Sequence, residues 1–147
     1  MRSTAMRALQ AYLWFIAAFH LVVGLGVSLS PGFAQAVARG YGATVDWTPQ
    51  FIAILRPLGA FMIILGVIAT FAARDPVRYA GVVYGFIALF ALRALQRIVF
   101  AGYLTQAFGI AAGRNMVNVV IFAGQAALLF ALWNVATRRP AAAPVPA

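Results

Sequence analysis

Residues 51–73 read FIAILRPLGAFMIILGVIATFAA, with Arg56 as the single charged residue in the run. A helix of that length rises about 35 Å, enough to cross a bilayer core of about 30 Å. Working outward, three more runs of the same kind fill the chain, at 8–29, 79–103 and 115–136. The reading is an all-α integral membrane four-helix bundle.

Composition agrees. Of 147 residues, 65% are hydrophobic and 9% charged, with a mean hydropathy of +0.94, whereas soluble domains carry about a quarter charged residues. The net charge of +9 in this setting reports membrane topology, not nucleic-acid binding. All eleven basic residues are Arg, so Schiff-base chemistry has no lysine to use. No Cys is present, which excludes disulfides, thiolate nucleophiles, iron–sulfur ligation and covalent c-type haem. With one His, two Asp and no Glu, a protein-built metal site or a carboxylate pair is not expected, nor any cofactor.

Each run carries its own punctuation. Ser30, Pro31 and Gly32 close the first; Thr48 and Pro49 open the second as a cap and a first-turn proline; Arg74, Asp75 and Pro76 part it from the third. Gly109 and Gly113 lie in the link to the fourth. The bundle is expected over residues 1–139 and a disordered Ala/Pro tail over 140–147. Between the first two runs, Pro31 and Gly40 are placed to bracket a short interfacial helix. Arg2, Arg7, Arg74, Arg78, Arg138 and Arg139 fall on one side, against Arg39 and Arg114 on the other, so both termini are expected in the cytoplasm. Trp14, Trp47, Tyr103 and Trp133 lie toward segment ends, where amphipathic rings favour headgroups, although simple packing places them equally well. Arg2 and Arg7, an apolar run and then Ala34, Gln35 and Ala36 also match a secretory signal cleaved after Ala36. That run is longer than a signal core and contains His20, which favours an uncleaved first helix.

Function is sought in the polar residues inside the segments, because an ionisable group in lipid costs about 3 kcal/mol. His20, Arg56, Arg93 and Arg97 are the four. Counted along the helices, His20 and Arg93 lie about 20 Å and Arg56 and Arg97 about 25 Å from the cytoplasmic ends, all in the outer half. Asn118 falls level with the upper pair and Gln125 about 10 Å deeper. No carboxylate accompanies them within the membrane unless Asp46 folds down from the outer loop. On the third segment Arg93, Gln96 and Arg97 share one face, and Gly81, Gly85, Ala88 and Leu92 form a small-residue stripe expected to pack. On the second, Arg56 falls on a face with Gly59, Ala60, Ile63, Gly66 and Thr70, and Pro57 frees the carbonyl of Ala53 for a nearby guanidinium. Asn115, Asn118 and Gln125 cluster on the fourth. The expected ligand-binding set is therefore His20, Arg56, Arg93, Gln96, Arg97 and Asn118. Snorkelling of Arg56 and Arg97 toward lipid phosphates is the competing account.

The runs Ile54-Leu55-Arg56-Pro57-Leu58-Gly59 and Leu92-Arg93-Ala94-Leu95-Gln96-Arg97, with Gly66, Gly102 and the Pro31 turn, resemble small four-helix bacterial inner-membrane proteins of the DoxX-like and BphX-like kind. The resemblance spans the first segment to Arg139. It implies a four-helix bundle, often without an assigned activity, sometimes associated with quinone-linked or thiosulfate oxidation. The Cys and multiple His that a redox site would use are missing here.

Three function classes follow. The first is a non-enzymatic accessory protein whose arginines hold a lipid phosphate, a carboxylate or a quinone carbonyl. The second is a structural or assembly subunit of a larger membrane complex. The third is an oligomeric anion channel or transporter. An enzyme would need a base or nucleophile in the pocket, and only His20 titrates near neutral pH. A triad of Ser28 or Ser30 with His20 and Asp46 has nothing to orient it.

Overall fold

The computed structural model describes residues 3–138. The expected tail at 140–147 lies outside them, as do Arg2 and Arg139. The described residues form six helices and no strand: α1 (Thr4–Leu29), α2 (Pro31–Gly40), α3 (Pro49–Arg74), α4 (Ala80–Val99), α5 (Ala101–Phe108) and α6 (Ala112–Thr137). Four of them, α1, α3, α4 and α6, are long and apolar enough to cross a membrane.

The starts are set by side chains that take up free N–H groups. Ser3 accepts from Met6, Ser30 from Phe33 and Thr48 from Phe51, each at 3.2 Å, and Pro31 and Pro49 occupy first-turn positions where no N–H is needed. The short helix expected between Pro31 and Gly40 is α2. At the α3–α4 turn, Asp75 Oδ1 accepts from the Arg78 N–H at 3.1 Å, closing an Asx-type turn.

The long helices pair antiparallel, α1 with α3 and α4 with α6. In a bilayer, where lipid tails are as apolar as leucine, such pairs would be held by close packing and hydrogen bonds rather than by exclusion of water. In the first pair the backbones touch. A methyl group added to Gly24 would stand 2.8 Å from the Gly59 carbonyl oxygen and 2.8 Å from the Ile63 nitrogen. One added to Gly66 would stand 2.9 Å from the Leu21 nitrogen. Gln10 Nε2 completes this seam by donating to the carbonyls of Ala73 and Arg74, both at 3.1 Å, which the end of α3 leaves without partners. The second pair packs large side chains: Val83, Phe86, Phe90 and Ala94 against Val119, Phe122, Ala126, Leu129 and Trp133. Trp133 Nε1 donates to the Tyr84 hydroxyl at 2.9 Å, so the indole's one polar atom is satisfied.

Two expectations are corrected. The third span was expected unbroken over 79–103, but α4 stops at Val99 and Tyr103 belongs to α5. Phe100 has φ −102° and ψ 22°, and its N–H bonds back to Gln96 while the chain turns. The β-branched Ile98 and Val99 and the nearby Gly102 weaken the helix there, and a partner from α6 takes the Arg97 carbonyl that continuation would have used. The stripe of Gly81, Gly85, Ala88 and Leu92 was expected to pack, yet all four are exposed and no atom lies within 4 Å of a methyl group built on either glycine. The opposite face of α4, with its phenylalanines, offers more surface to bury.

The two ends of the bundle differ. Arg7, Arg74, Arg78 and Arg138 gather at the end with the 75–79 turn. The other carries α2 and α5, here called the roof, tied by the bond from the Thr44 N–H after α2 to the Phe108 carbonyl at the end of α5. Beneath it α3 and α4 touch little, although the turn joins them directly. That gap positions the site.

Candidate functional site

A cavity of about 620 Å³ occupies the gap, within the range of about 300–1,000 Å³ usual for small-molecule sites. Val23 and Val27 of α1 form its back wall, Leu55, Leu58 and Met62 of α3 one side, and α2, Trp47 and α5 its cover. The polar wall is α4, where Arg93, Gln96 and Arg97 project at helical spacing.

Arg97 is fixed from several directions. Its guanidinium carbon lies 5.4 Å from the Tyr41 ring centroid and 5.6 Å from that of Phe122. Those two rings stack, with centroids 6.0 Å apart and planes 13° from parallel. Arg97 Nη1 donates to Asn115 Oδ1 at 3.0 Å, and Asn115 Nδ2 donates back to the Arg97 carbonyl at 2.8 Å. One buried asparagine thus orients the cation and satisfies the carbonyl released by the break at Phe100. Arg93, one turn deeper, has its guanidinium carbon 5.2 Å from the Phe122 centroid. Its donors form no hydrogen bond among the described residues. Both cations therefore lie over one ring, the arrangement in which an aromatic quadrupole attracts positive charge.

No carboxylate lies on the cavity wall. Of the two aspartates, Asp75 is in the turn at the far end, and Asp46 is exposed in a separate shallow depression on the roof beside Arg39 and Thr44. Asp46 does not fold down to the arginines. Two guanidiniums and an amide therefore face an apolar chamber, and their N–H groups fit the oxygens of a phosphate or carboxylate in paired fashion.

Of the six residues expected from sequence, the structure brings Arg93, Gln96 and Arg97 to the cavity. Asn118 stands behind it: 2% exposed, its Nδ2 donates to the Tyr41 carbonyl at 2.9 Å and so holds the ring that braces Arg97. His20 lies beneath. It is 1% exposed, its Nδ1 donates to the Ile16 carbonyl at 2.8 Å, and its ring meets Phe86 edge-on at 5.5 Å. Its Nε2 has no hydrogen-bond partner among the described residues, and the ring does not line the cavity. Arg56 is exposed, makes no hydrogen bond among the described residues and points away from the chamber that its neighbour Leu55 lines. The Ala53 carbonyl does not receive it.

Sequence reasoning left out Tyr41, Asn115 and Phe122 as site residues. Asn115 carried a signal, since it shares a face with Asn118. Tyr41 and Phe122 carried none, because single aromatics are ordinary in membrane segments and the pairing of these two is made by the fold.

The chain matches no protein-family description, no curated protein and no solved structure.

Proposed function

We propose that this is a small multi-pass membrane protein, without catalytic activity, that binds an oxyanion-bearing small molecule or lipid between α3 and α4. The observation that carries the reading is the pair Arg93 and Arg97, aimed into an apolar chamber whose wall holds no carboxylate. Arginine keeps its charge in such a place, so the chamber holds fixed positive charge that an anion relieves. Arg93, Gln96 and Arg97 contact the ligand in this reading. Asn115, Asn118, Tyr41 and Phe122 hold Arg97 in place, His20 is a packing residue and Arg56 a snorkelling one.

The resemblance to DoxX-like and BphX-like proteins supports placement in a bacterial inner membrane. The four arginines gathered at the turn end support a cytoplasmic position for that end, with the roof outside.

The test is native mass spectrometry of protein extracted from its own membranes in mild detergent. A stoichiometric anionic mass, lost in Arg93→Ala and weakened less in the braced Arg97→Ala, is expected. Absence of any such mass, or its equal retention in both variants, refutes the reading. A second reading, assembly with a partner subunit or another copy, is favoured by one observation: the exposed Gly81, Gly85 and Ala88 face, where a helix could approach closely. Stoichiometric protein partners without a bound small molecule would select it.

A further inference from the structure

We infer that the ligand is a single-chain amphiphile with an oxyanion head, and that it reaches the chamber sideways from the lipid, between α3 and α4. The inference rests on the oxyanion reading above and adds to it the ligand's tail and its route.

The roof is fastened. The Thr44 N–H, in the loop after α2, donates to the Phe108 carbonyl at the end of α5, 2.7 Å away. Arg114 donates to the Gly40 carbonyl from the first turn of α6. Gly109, at φ +63°, brings its backbone against the Thr44 hydroxyl so closely that no side chain would fit between them. These ties join α2, α5 and α6 across the top and oppose passage from the aqueous side.

The side of the chamber is open. Leu58, Gln96, Phe100 and Tyr103 all line the cavity and all are exposed on the flank of the bundle. They belong to α3 and α4, which touch little, and to the short helix above them. In a membrane that flank faces acyl chains.

Polarity within the chamber runs in the sense of a leaflet. Counted from Val99, Arg97 lies about 3 Å and Arg93 about 9 Å below the break. Val23, Leu58 and Met62 supply an apolar floor and side, with no polar group beyond Arg93. An amphiphile in the roof-side leaflet, head toward the roof and tail toward the midplane, enters without inverting. At about 30 Å³ per water-sized group, the space takes roughly 20 non-hydrogen atoms. That suits a head and one chain of a dozen or more carbons, and leaves a second chain no place inside the chamber.

The probe is 11-bromoundecanoate, whose bromine quenches nearby tryptophan, added to the full-length protein in lipid nanodiscs. Trp47 lines the cavity, so the quenching lost in Trp47→Phe reports the chamber. Expected are saturable quenching, at least a tenfold loss of affinity in Arg93→Ala, displacement by dodecyl phosphate and none by inorganic phosphate at equal concentration. Displacement by inorganic phosphate as effective as by dodecyl phosphate overturns the amphiphile and leaves the oxyanion site. Equal quenching by 11-bromoundecanol, unaffected by Arg93→Ala, overturns both. For the route, Leu58→Phe, which narrows the flank opening, is expected to slow stopped-flow quenching about tenfold, while Thr44→Pro, which removes the roof's N–H, leaves the rate unchanged. A faster rate in Thr44→Pro with no change in Leu58→Phe overturns the sideways route.

Discussion

Replacing Asn115 by Asp separates the charge of the chamber from its architecture. Asn115 accepts from Arg97 Nη1 at 3.0 Å and donates to the Arg97 carbonyl at 2.8 Å. Aspartate keeps the first bond and strengthens it by its charge, but loses the second and turns an oxygen toward that carbonyl. One bond of about 1 kcal/mol is lost and the other is strengthened by about as much, so stability is expected to move by no more than about 1 kcal/mol. Binding is expected to change far more, because the carboxylate occupies the guanidinium and neutralises one of two cavity cations. Loss of one charged contact, about 1.5–3 kcal/mol, lowers oxyanion affinity about 10- to 150-fold. The comparison is Asn115→Leu, which leaves Arg97 charged but removes both bonds. At about 0.6–1.7 kcal/mol per bond in a membrane protein, it is expected to be about 1–3 kcal/mol less stable and to bind better than Asn115→Asp. Quenching titrations and unfolding in detergent on the same samples measure both. Asn115→Asp binding within twofold of the unsubstituted protein, with the fold intact, refutes the assignment of Arg97's charge to the ligand.

Gly24→Leu is expected to destabilise by about 1–3 kcal/mol or to prevent folding, since its Cβ meets the α3 backbone, whereas Gly85→Leu is expected to change stability by less than 0.5 kcal/mol; detergent unfolding of the pair checks it. Trp133→Phe, losing the bond to Tyr84, is expected to lower stability by about 0.6–1.7 kcal/mol in the same measurement. The chain has no cysteine, so a single one introduced at Gly40 or at Arg78 is unique. A membrane-impermeant maleimide added outside the cell is expected to label the first and not the second, and the reverse pattern overturns the proposed orientation.

The spans were legible because each is a question of length and apolar content, which residues 51–73 answer alone. The helix α2 was legible as well, since Pro31 and Gly40 act on the backbone locally. The break at Phe100 was not, because it depends on an asparagine 15 positions further on taking a carbonyl in α4. Periodicity put Arg93, Gln96 and Arg97 on one face, and they share the cavity wall. It also put Arg56 with the α3 glycines, but the edge of that face is turned outward, and 100° steps do not tell the edge of a stripe from its centre. The glycines of α1 and α3 meet backbone to backbone while those of α4 meet nothing, a difference that rests on what the facing helix presents.

The early end of α4 bears on the membrane itself. Its 20 residues span about 30 Å, whereas the 26 residues of α1, α3 and α6 span about 39 Å. One bilayer cannot match both lengths with upright helices. A core of about 30 Å fits α4 upright, while in the same bilayer the longer three would tilt or carry their ends beyond it. In the proposed placement the headgroups then stand near the break at Phe100, about 3 Å above Arg97 and beside the opening between α3 and α4. A thicker membrane would lift the headgroups away from that opening, and should oppose the exchange of the proposed amphiphile.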